Sequence, residues 1–345
     1  MAAVLTALDM MRTKEKAGDS TSAMALEVWI QEADILTMLP FDTLGTTETG
    51  RERTNSIPTV GFRAGRGASF GTVVGTTNDY VSDAVFSLGA QIDMDKTDLR
   101  DKKGGRSLLA KRTRDAVKGA AWTFNDYFIN GDHATDPYGF EGVKVRLANK
   151  ASTQIVYGST SSAELDLRPA ASPSEATMYQ FLDRIDEAIY ALDGHTADFA
   201  LTDADFIRTL RGVLRRLDKY TEKAENAERY QGGGERRTSS KRPTGPALVW
   251  GGPNNGTKWY DMGLKADQST KIIGTETVNS QACRPVFFLK IGDPYLHGIQ
   301  QYSLETDGPN KQPDGVTFTT VIDWPVGLHD AHPRGIAKLA GVRVA

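Results

Sequence analysis

Side chains of the kind that bind divalent metals cluster near the C-terminus, at Asp323, His329, Asp330 and His332. Imidazole nitrogens and carboxylate oxygens are common ligands of such ions. Their spacing matches no familiar metal site, and the neighbouring Pro325 and Pro333 predict a loop. We therefore interpret the group as a solvated turn. His133 and Asp136 receive the same interpretation.

A glycine-rich segment, residues 65–71 (GRGASFG), superficially resembles a phosphate-binding loop. Its glycines follow neither the dinucleotide-binding nor the P-loop pattern, and the sequence predicts no helix directly after it. We interpret the segment as the tip of a polar ribbon.

The sequence shows no arrangement for nucleophilic catalysis. It has neither a nucleophile elbow nor a histidine–acid pair near a serine. The single cysteine, Cys283, has no base near it, and the five histidines fall in separate predicted loops. The sequence therefore predicts no catalytic residue, no metal and no cofactor. Cys283 is expected to be a small buried residue.

Formal charge is close to balance at −3, so net charge alone neither favours nor excludes a polyanionic partner. The basic residues are nevertheless unevenly distributed. One group occupies the first half of a long predicted helix: Arg100, Lys102, Lys103, Arg106, Lys111, Arg112, Arg114 and Lys118. A second group lies on a later helix: Arg208, Arg211, Arg215, Arg216 and Lys219. Each could be a solvated face that pairs with neighbouring subunits, or a sequence-independent phosphate contact.

Compartment signals are few. No apolar run approaches the roughly 20 residues that a membrane-spanning helix needs. The N-terminus lacks the basic leader and apolar stretch of a secretory signal. A single cysteine excludes an internal disulfide and fits a reducing compartment. We expect a soluble protein with no membrane partner.

The strongest structural pattern covers residues 93–130. Its less polar side chains recur at every third or fourth position: Leu109, Thr113, Ala116, Val117, Ala120, Phe124, Tyr127 and Phe128. This spacing predicts a long amphipathic helix, which Asn130 and Gly131 would end with left-handed backbone angles. Gly104 and Gly105 are expected either to begin the regular helix or to let it bend. Such a long helix indicates an elongated subunit.

Two segments precede this helix. Residues 1–40 predict an arm with two short helices, and the second carries enough apolar surface that it must dock on something. Residues 45–90 are rich in glycine and threonine and predict a two-stranded ribbon. The ribbon has too little apolar surface to be stable alone.

An α/β region follows the long helix. A capping box at Ser172, with Pro173 at the first helical position, predicts one helix, and a second begins at Thr202. Residues 222–246 predict a charged excursion without core residues. The predicted strands are residues 143–147, 154–157, 198–201, 247–250, 271–273, 286–291, 315–324 and 336–344.

Taken in order, these parts resemble the major capsid proteins of tailed bacteriophages, which have the Hong Kong ninety-seven type of capsid fold. The local matches are the turn NGD…PYGFEGV at residues 130–143 and the C-terminal HPRGIAKLAGVRVA at residues 332–345. The resemblance implies an α+β fold. Its implied parts are an N-terminal arm (1–40), an E-loop with flanking strands (41–92), a peripheral domain with a spine helix (93–165), an axial domain (166–304) and C-terminal strands that return to the peripheral domain (305–345).

The resemblance also implies a function. The chain would assemble with copies of itself, as hexamers and pentamers, into an icosahedral head that encloses double-stranded DNA. It would do so in the bacterial host cytoplasm and remain in the virion capsid. Residues 1–40 are too short for a fused scaffold, so we expect a separate scaffolding protein, a portal and, as further candidates, decoration proteins.

Two sets of candidate residues follow from the resemblance. The E-loop contacts between subunits are Arg51, Arg53, Arg63, Arg66 and Phe70. The basic residues that face packaged DNA are Arg106, Lys111, Arg112, Arg114 and Lys118. Lysine is absent from residues 45–91, so we expect no isopeptide crosslink from the E-loop.

Two other interpretations remain open. An encapsulin-like nanocompartment has the same fold and encloses enzymes instead of a genome. A compact α/β enzyme with residues 172–217 as its core is the alternative from another class of protein.

Overall fold

The computed structural model describes residues 6–32, 34–56, 77–100, 105–159, 163–217 and 257–344. The glycine-rich segment 65–71 and the predicted elements at 222–246 and 247–250 lie outside these residues. The helices are α1 (Ala7–Lys16), α2 (Ser20–Glu32), α3 (Asp34–Met38), α4 (Lys96–Arg100), α5 (Gly105–Asn130), α6 (Val143–Ala148), α7 (Glu175–Tyr190) and α8 (Ala204–Arg216).

Strands and helices together confirm the α+β class. The strands are β1 (Phe41–Thr43), β2 (Glu48–Ser56), β3 (Thr77–Ala84), β4 (Phe86–Asp95), β5 (Ile155–Tyr157), β6 (Leu165–Asp166), β7 (Phe199–Thr202), β8 (Lys258–Asp261), β9 (Glu276–Val278), β10 (Gln281–Leu289), β11 (Leu296–Gln300), β12 (Glu305–Lys311), β13 (Thr317–Asp330) and β14 (Ile336–Arg343).

The 14-residue strand β13 organises a five-stranded sheet. It pairs antiparallel with β4, from Thr317 opposite Asp95 to Val326 opposite Phe86. It also pairs antiparallel with β12 and β11, and β11 carries β1 in parallel. Among the described residues, β2 and β3 pair only with each other, as an antiparallel hairpin, which confirms the predicted ribbon at residues 48–56 and 77–84. Residues 86–90, which were also assigned to the ribbon, belong instead to β4.

A second sheet has the order β5-β14-β10-β7-β8, with β6 on β14 and β9 on β10. Successive residues of a strand point to opposite faces. Accordingly, Leu201 and Phe287 belong to an apolar cluster shared with α5, whereas Ala200 and Phe288 belong to a cluster shared with α7 and α8. This sheet is therefore buried on both faces and joins the two cores.

The two sheets exchange strands across the predicted domain boundaries. β11 lies within the predicted axial segment 166–304, yet it pairs with β13 in the five-stranded sheet. β14 lies within the predicted peripheral segment 305–345, yet it pairs with β10 in the seven-stranded sheet. This pairing shows that both segments contribute strands to both sheets, and the predicted peripheral and axial bounds stay predictions. Sequence order gave no sign of these strand exchanges.

The predicted helix does not begin at residue 93, because residues 93–95 belong to β4, and the described helical residues are Lys96–Arg100 and Gly105–Asn130. Residues 101–104 lie outside the described structure, so the role of the glycine pair stays a prediction. Only the second half of α5 is deeply buried: Val117, Ala120, Ala121, Phe124, Phe128 and Ile129. Leu109, Thr113 and Ala116, in its first half, are half-buried.

The end of α5 depends on close backbone contact and not on left-handed angles. Among the described residues, neither Asn130 nor Gly131 has a positive φ. Instead, a Cβ on Gly131 would lie 2.6 Å from Tyr127 O, and one on Gly142 would lie 2.8 Å from Gly131 N. Gly142 N–H donates to Gly131 O at 2.9 Å. The two glycines therefore close the turn of residues 131–142 on the helix end.

The N-terminal arm docks on its own chain. Thr6 caps α1 with a reciprocal capping box to Asp9. Leu26, Leu36 and Leu39 are almost fully buried in the cluster shared with α5. This satisfies the expectation that the apolar arm must dock, and the contacting surface is the spine helix of the same subunit.

Several predicted boundaries were wrong for local reasons. Residues 143–147 form α6 and not a strand, because the alternation of VKVRL also fits one helical turn. The helix α7 is capped by Ser174, which accepts from Thr177 N–H, so Ser172 and Pro173 precede it. Thr202 ends β7, and Asp203 caps α8. Residues 271–273 contribute only an isolated bridge.

Most of the remaining predicted elements agree with the structure, and several strands were missed. The predicted stripes of α7 and α8 are buried: Met178, Phe181, Leu182, Ile185, Ile189, Phe206, Leu210, Val213 and Leu214. The sequence analysis identified none of β6, β8, β9, β11 and β12. β12 is mostly exposed and carries Pro309, so it lacks the apolar alternation that marks a half-buried strand.

We expect Gly142→Ala to destabilise the fold by about 1–3 kcal/mol, because the added methyl group meets backbone that cannot move aside. Gly119→Ala is the matched control, since nothing lies within 4 Å of a Cβ at that helical position. The control should stabilise the protein by up to about 1 kcal/mol. Denaturant unfolding measures both, and equal effects would contradict the close-contact explanation.

Candidate assembly interface

The hairpin of β2 and β3 projects from the subunit without a core of its own. None of its described side chains belongs to either apolar cluster. Tyr80 is 73% exposed and lies across Gly50 on the neighbouring strand, where any side chain would collide with its ring. A two-stranded hairpin without an apolar face is marginally stable in water. Its order must therefore come from its root or from a partner.

Two of the predicted E-loop contact residues form pairs within their own chain. Arg51 pairs with Asp293, and Arg53 lies 3.5 Å from Asp79 across the hairpin. The side chains of Arg51 and Asp293 are 43% and 51% exposed, so this pair contributes little to stability. Contact of Arg51 and Arg53 with a neighbouring subunit remains a prediction. Three further candidates lie outside the described residues: Arg63, Arg66 and Phe70.

Three side chains, which we call the root cluster, meet where β3 ends: Asp83, Arg146 and His329. Asp83 accepts from Arg146 Nη2 and from His329 Nδ1, each at 2.7 Å. The three side chains are 10%, 6% and 3% exposed, respectively. Burial would raise the pKa of Asp83, but the hydrogen bonds from His329 and Arg146 and the charge of Arg146 hold it below its ordinary value.

The direction of this pKa shift determines how the contribution of Asp83 to stability depends on pH. A carboxyl group with a lowered pKa in the folded state stabilises the fold above its unfolded pKa of about 4. That contribution is lost as the pH falls through the folded value. The root cluster is therefore complete at neutral pH.

Arg146 links the root cluster to two further elements. Its Nε donates to Glu141 O at 3.0 Å, in the turn that closes on the end of α5, and its Nη2 donates to Leu328 O at 2.9 Å, in β13. One guanidinium therefore bonds the hairpin, the turn after the spine helix and the central sheet. The sequence analysis named neither Asp83 nor Arg146, although Arg146 interrupts an apolar run and so gave a signal.

A second buried pair stands beside this cluster. Lys150 Nζ lies 2.5 Å from Asp330 Oδ2, and their side chains are 2% and 1% exposed. Burial lowers the pKa of Lys150, although the charge of Asp330 opposes the shift. The pair joins the segment just after α6 to the end of β13.

The candidate metal ligands near the C-terminus serve structural contacts. Asp323, His329 and Asp330 lie within β13, so the predicted solvated loop is wrong there. Asp323 and His329 are six residues apart, about 20 Å along a strand, too far to share an ion. Among the described residues, no group of three or more histidine, cysteine or acidic side chains could hold a metal.

The other side chains considered for chemistry are also in contact with, or buried by, their own chain. His133 Nδ1 lies 3.2 Å from Gly139 O, and Asp136 accepts from the Tyr127 hydroxyl, which raises the pKa of Tyr127 to about 12. Cys283 is buried, as expected, and burial raises the pKa of its thiol. These contacts stabilise the turn after α5 and the second sheet.

The basic residues of α5 are largely in solvent in the single chain. Lys111, Arg112 and Arg114 are exposed, and Lys118 is half-buried. Arg106 belongs to α5, but its side chain lies outside the described structure. Arg112 Nη1 is 3.4 Å from Asp93 O, a long contact that leaves most of the guanidinium accessible. On α8, Arg208 pairs with Asp205 at 2.9 Å.

Comparisons with known proteins find the fold only at the level of structure. No protein-family model matches the chain, and no curated protein matches its sequence. The capsid of an empty GTA particle matches with a TM-score of 0.50 and 14% identity, covering 88% of this chain and 87% of that one. Mycobacterium phage Bobi matches with a TM-score of 0.53 and 9% identity, covering 91% of both chains. Microbacterium phage Oxtober96 matches with a TM-score of 0.51 and 9% identity, covering 90% and 91%.

These likenesses cover nearly the whole chain. At such low identity they show the fold and not the activity. The chain has the Hong Kong ninety-seven type of capsid fold, as the order of its sequence elements predicted. Separately, none of the described helices has the length and apolar character needed to cross a membrane.

We expect Lys150→Met to destabilise the fold by about 3–5 kcal/mol, because Asp330 would remain as an unpaired buried charge. The double variant Lys150→Met/Asp330→Leu should recover most of that loss. Arg51→Gln, which breaks an exposed pair, should cost less than about 1 kcal/mol. Denaturant unfolding compares the three, and a double variant as unstable as Lys150→Met would contradict the charge argument.

Proposed function

We propose that this chain is the major capsid protein of a tailed bacteriophage. It assembles as hexamers and pentamers into an icosahedral head that encloses double-stranded DNA, and it performs no catalysis. The observation that carries this proposal is the capsid fold across about nine-tenths of the chain. The hairpin without a core supports it, because such an element needs cover from another subunit.

The parts of the subunit have the following proposed roles. The hairpin of β2 and β3 is the E-loop, and α5 is the spine helix. The five-stranded sheet belongs to the peripheral domain, and α7 and α8 with the seven-stranded sheet form the axial domain. Arg63, Arg66 and Phe70 contact a neighbouring subunit. Residues 57–76 contain no acidic side chain, so this segment suits an acidic surface of that neighbour.

The exposed basic residues of α5 face the packaged DNA in this proposal. Lys111, Arg112 and Arg114 would contact phosphates without reading sequence, and such contacts weaken as salt rises. Arg106 and Lys118 complete the proposed basic face. The further partners are a separate scaffolding protein, a portal and decoration proteins. Assembly takes place in the cytoplasm of the bacterial host, and the mature location is the virion.

Electron microscopy of particles from the native source, with analysis of their contents, tests the proposal. Icosahedral particles that contain double-stranded DNA would support it. Particles of the same shape that contain an enzyme instead would establish the encapsulin-like compartment. A compact monomer in the native source, with no particle, would overturn the capsid function.

Charge reversal on the spine helix tests the DNA-facing surface. The double variant Arg112→Glu/Arg114→Glu should still form particles, but these should lose DNA at a lower salt concentration than the parent particles do. Counterion release predicts a shallower dependence of DNA retention on salt when phosphate contacts are removed. DNA content after salt washes is the measurement.

The matched control reverses two basic residues on α8, Arg208→Glu/Arg211→Glu. It changes the net charge by the same amount at a site proposed to lie in the axial domain. Equal DNA loss from both double variants would show a non-specific charge effect. Unchanged retention in the α5 variant would remove the DNA-facing role and leave the capsid function standing.

A further inference from the structure

The described part of the β2–β3 hairpin is not anchored by apolar packing. Its described side chains contribute nothing to the two apolar clusters, and its strands pair only with each other. At its root, Val85 N–H donates to Thr47 O at 2.9 Å, which closes the hairpin but does not orient it. Side-chain links from the described part of the hairpin to the body include Arg51 with Asp293 and Asp83 with the root cluster.

These two links differ in burial. The Arg51 pair is about half exposed on each side, so water screens it. The root cluster is at least nine-tenths buried and holds one carboxylate between a guanidinium and an imidazole. Removing one member leaves a buried charge uncompensated, so the cluster strongly favours a single arrangement of its parts. Of these two links, the one through Asp83 is therefore the stronger constraint on the orientation of the hairpin.

The same cluster contacts the end of the spine helix. Arg146 donates to Glu141 O, and Gly142 is the residue that packs against Gly131 at the helix end. A shift of the turn at residues 131–142 would displace the guanidinium that Asp83 binds. The hairpin and the spine helix are thus mechanically connected through one side chain, although they lie far apart in sequence.

We infer that the root cluster is a clamp that sets the direction in which the hairpin leaves the subunit and couples that direction to the end of the spine helix. Asp83 and His329 are positioning residues in this clamp. The clamp concerns the subunit itself. An effect of the clamp on the shape of a particle would in addition require the proposed capsid function.

Double electron–electron resonance, which measures the distance between two spin labels on the protein, tests the clamp. Tyr80→Cys on the hairpin and Tyr179→Cys on α7 provide exposed attachment sites. The native Cys283 is buried and its thiol pKa is raised, so it reacts poorly with the label. The measurement uses dispersed subunits, in which no neighbour covers the hairpin, and dilution with unlabelled protein removes any remaining distances between subunits.

We expect one narrow distance distribution in the labelled parent. Asp83→Asn should broaden it about twofold or more, because the hairpin then samples several directions. Arg51→Gln, the matched exposed-pair control on the same hairpin, should leave it narrow. His329→Leu should broaden it, whereas His329→Asn, which retains a donor near the Nδ1 position, should restore it. If Asp83→Asn does not fold, the comparison of His329→Leu with His329→Asn tests the clamp instead.

Unchanged distributions in the folded Asp83→Asn and His329→Leu variants would overturn the clamp. Broadening by Arg51→Gln alone would also overturn it, because the exposed pair would then orient the hairpin. Circular dichroism of each variant separates loss of the clamp from loss of the fold. Neither result depends on particle formation, so failure of the clamp and failure of the capsid proposal remain distinguishable.

Discussion

The buried contact of Asp83 with Arg146 and His329 is the ionic interaction that ties the hairpin to the body of this subunit. The body has two apolar cores, and the seven-stranded sheet joins them because its two faces contact different cores. None of the described hairpin side chains belongs to either core. A buried ionic contact replaces apolar packing at the root of the hairpin, and a carboxylate held in this way tolerates few alternative geometries.

The spine helix likewise has one half that packs in the core and one half that is exposed. Its second half is buried around Phe124 and Phe128, whereas its first half carries exposed arginine and lysine. The close contact of Gly131 with Gly142 fixes where the packed half ends. Hairpin and basic half-helix are thus extended surfaces mounted on a well-packed body, which is the form that a shell subunit requires if its neighbours complete it.

The sequence predicted elements well where one residue type dominates a regular pattern. The apolar stripes of α7 and α8 and the polar ribbon were recognisable from spacing and composition. Long-range pairing was not, because nothing local in Leu296–Gln300 or Ile336–Arg343 states which sheet each strand joins. Asp83 and Arg146 are 63 residues apart, so neither suggests its partner. The candidate metal ligands in β13 were wrongly predicted to lie in a solvated turn for the same reason, because their partners come from distant segments.

Hydrogen–deuterium exchange of the hairpin in assembled particles and in dispersed subunits tests the central claim most directly. If the hairpin is covered by a neighbour, the amides of residues 48–53 and 77–84 should exchange about tenfold or more slowly in particles. The amides of α7 and α8, already buried within the subunit, should change much less. Equal exchange of the hairpin in both states would contradict the account, because the element without a core would then need no partner.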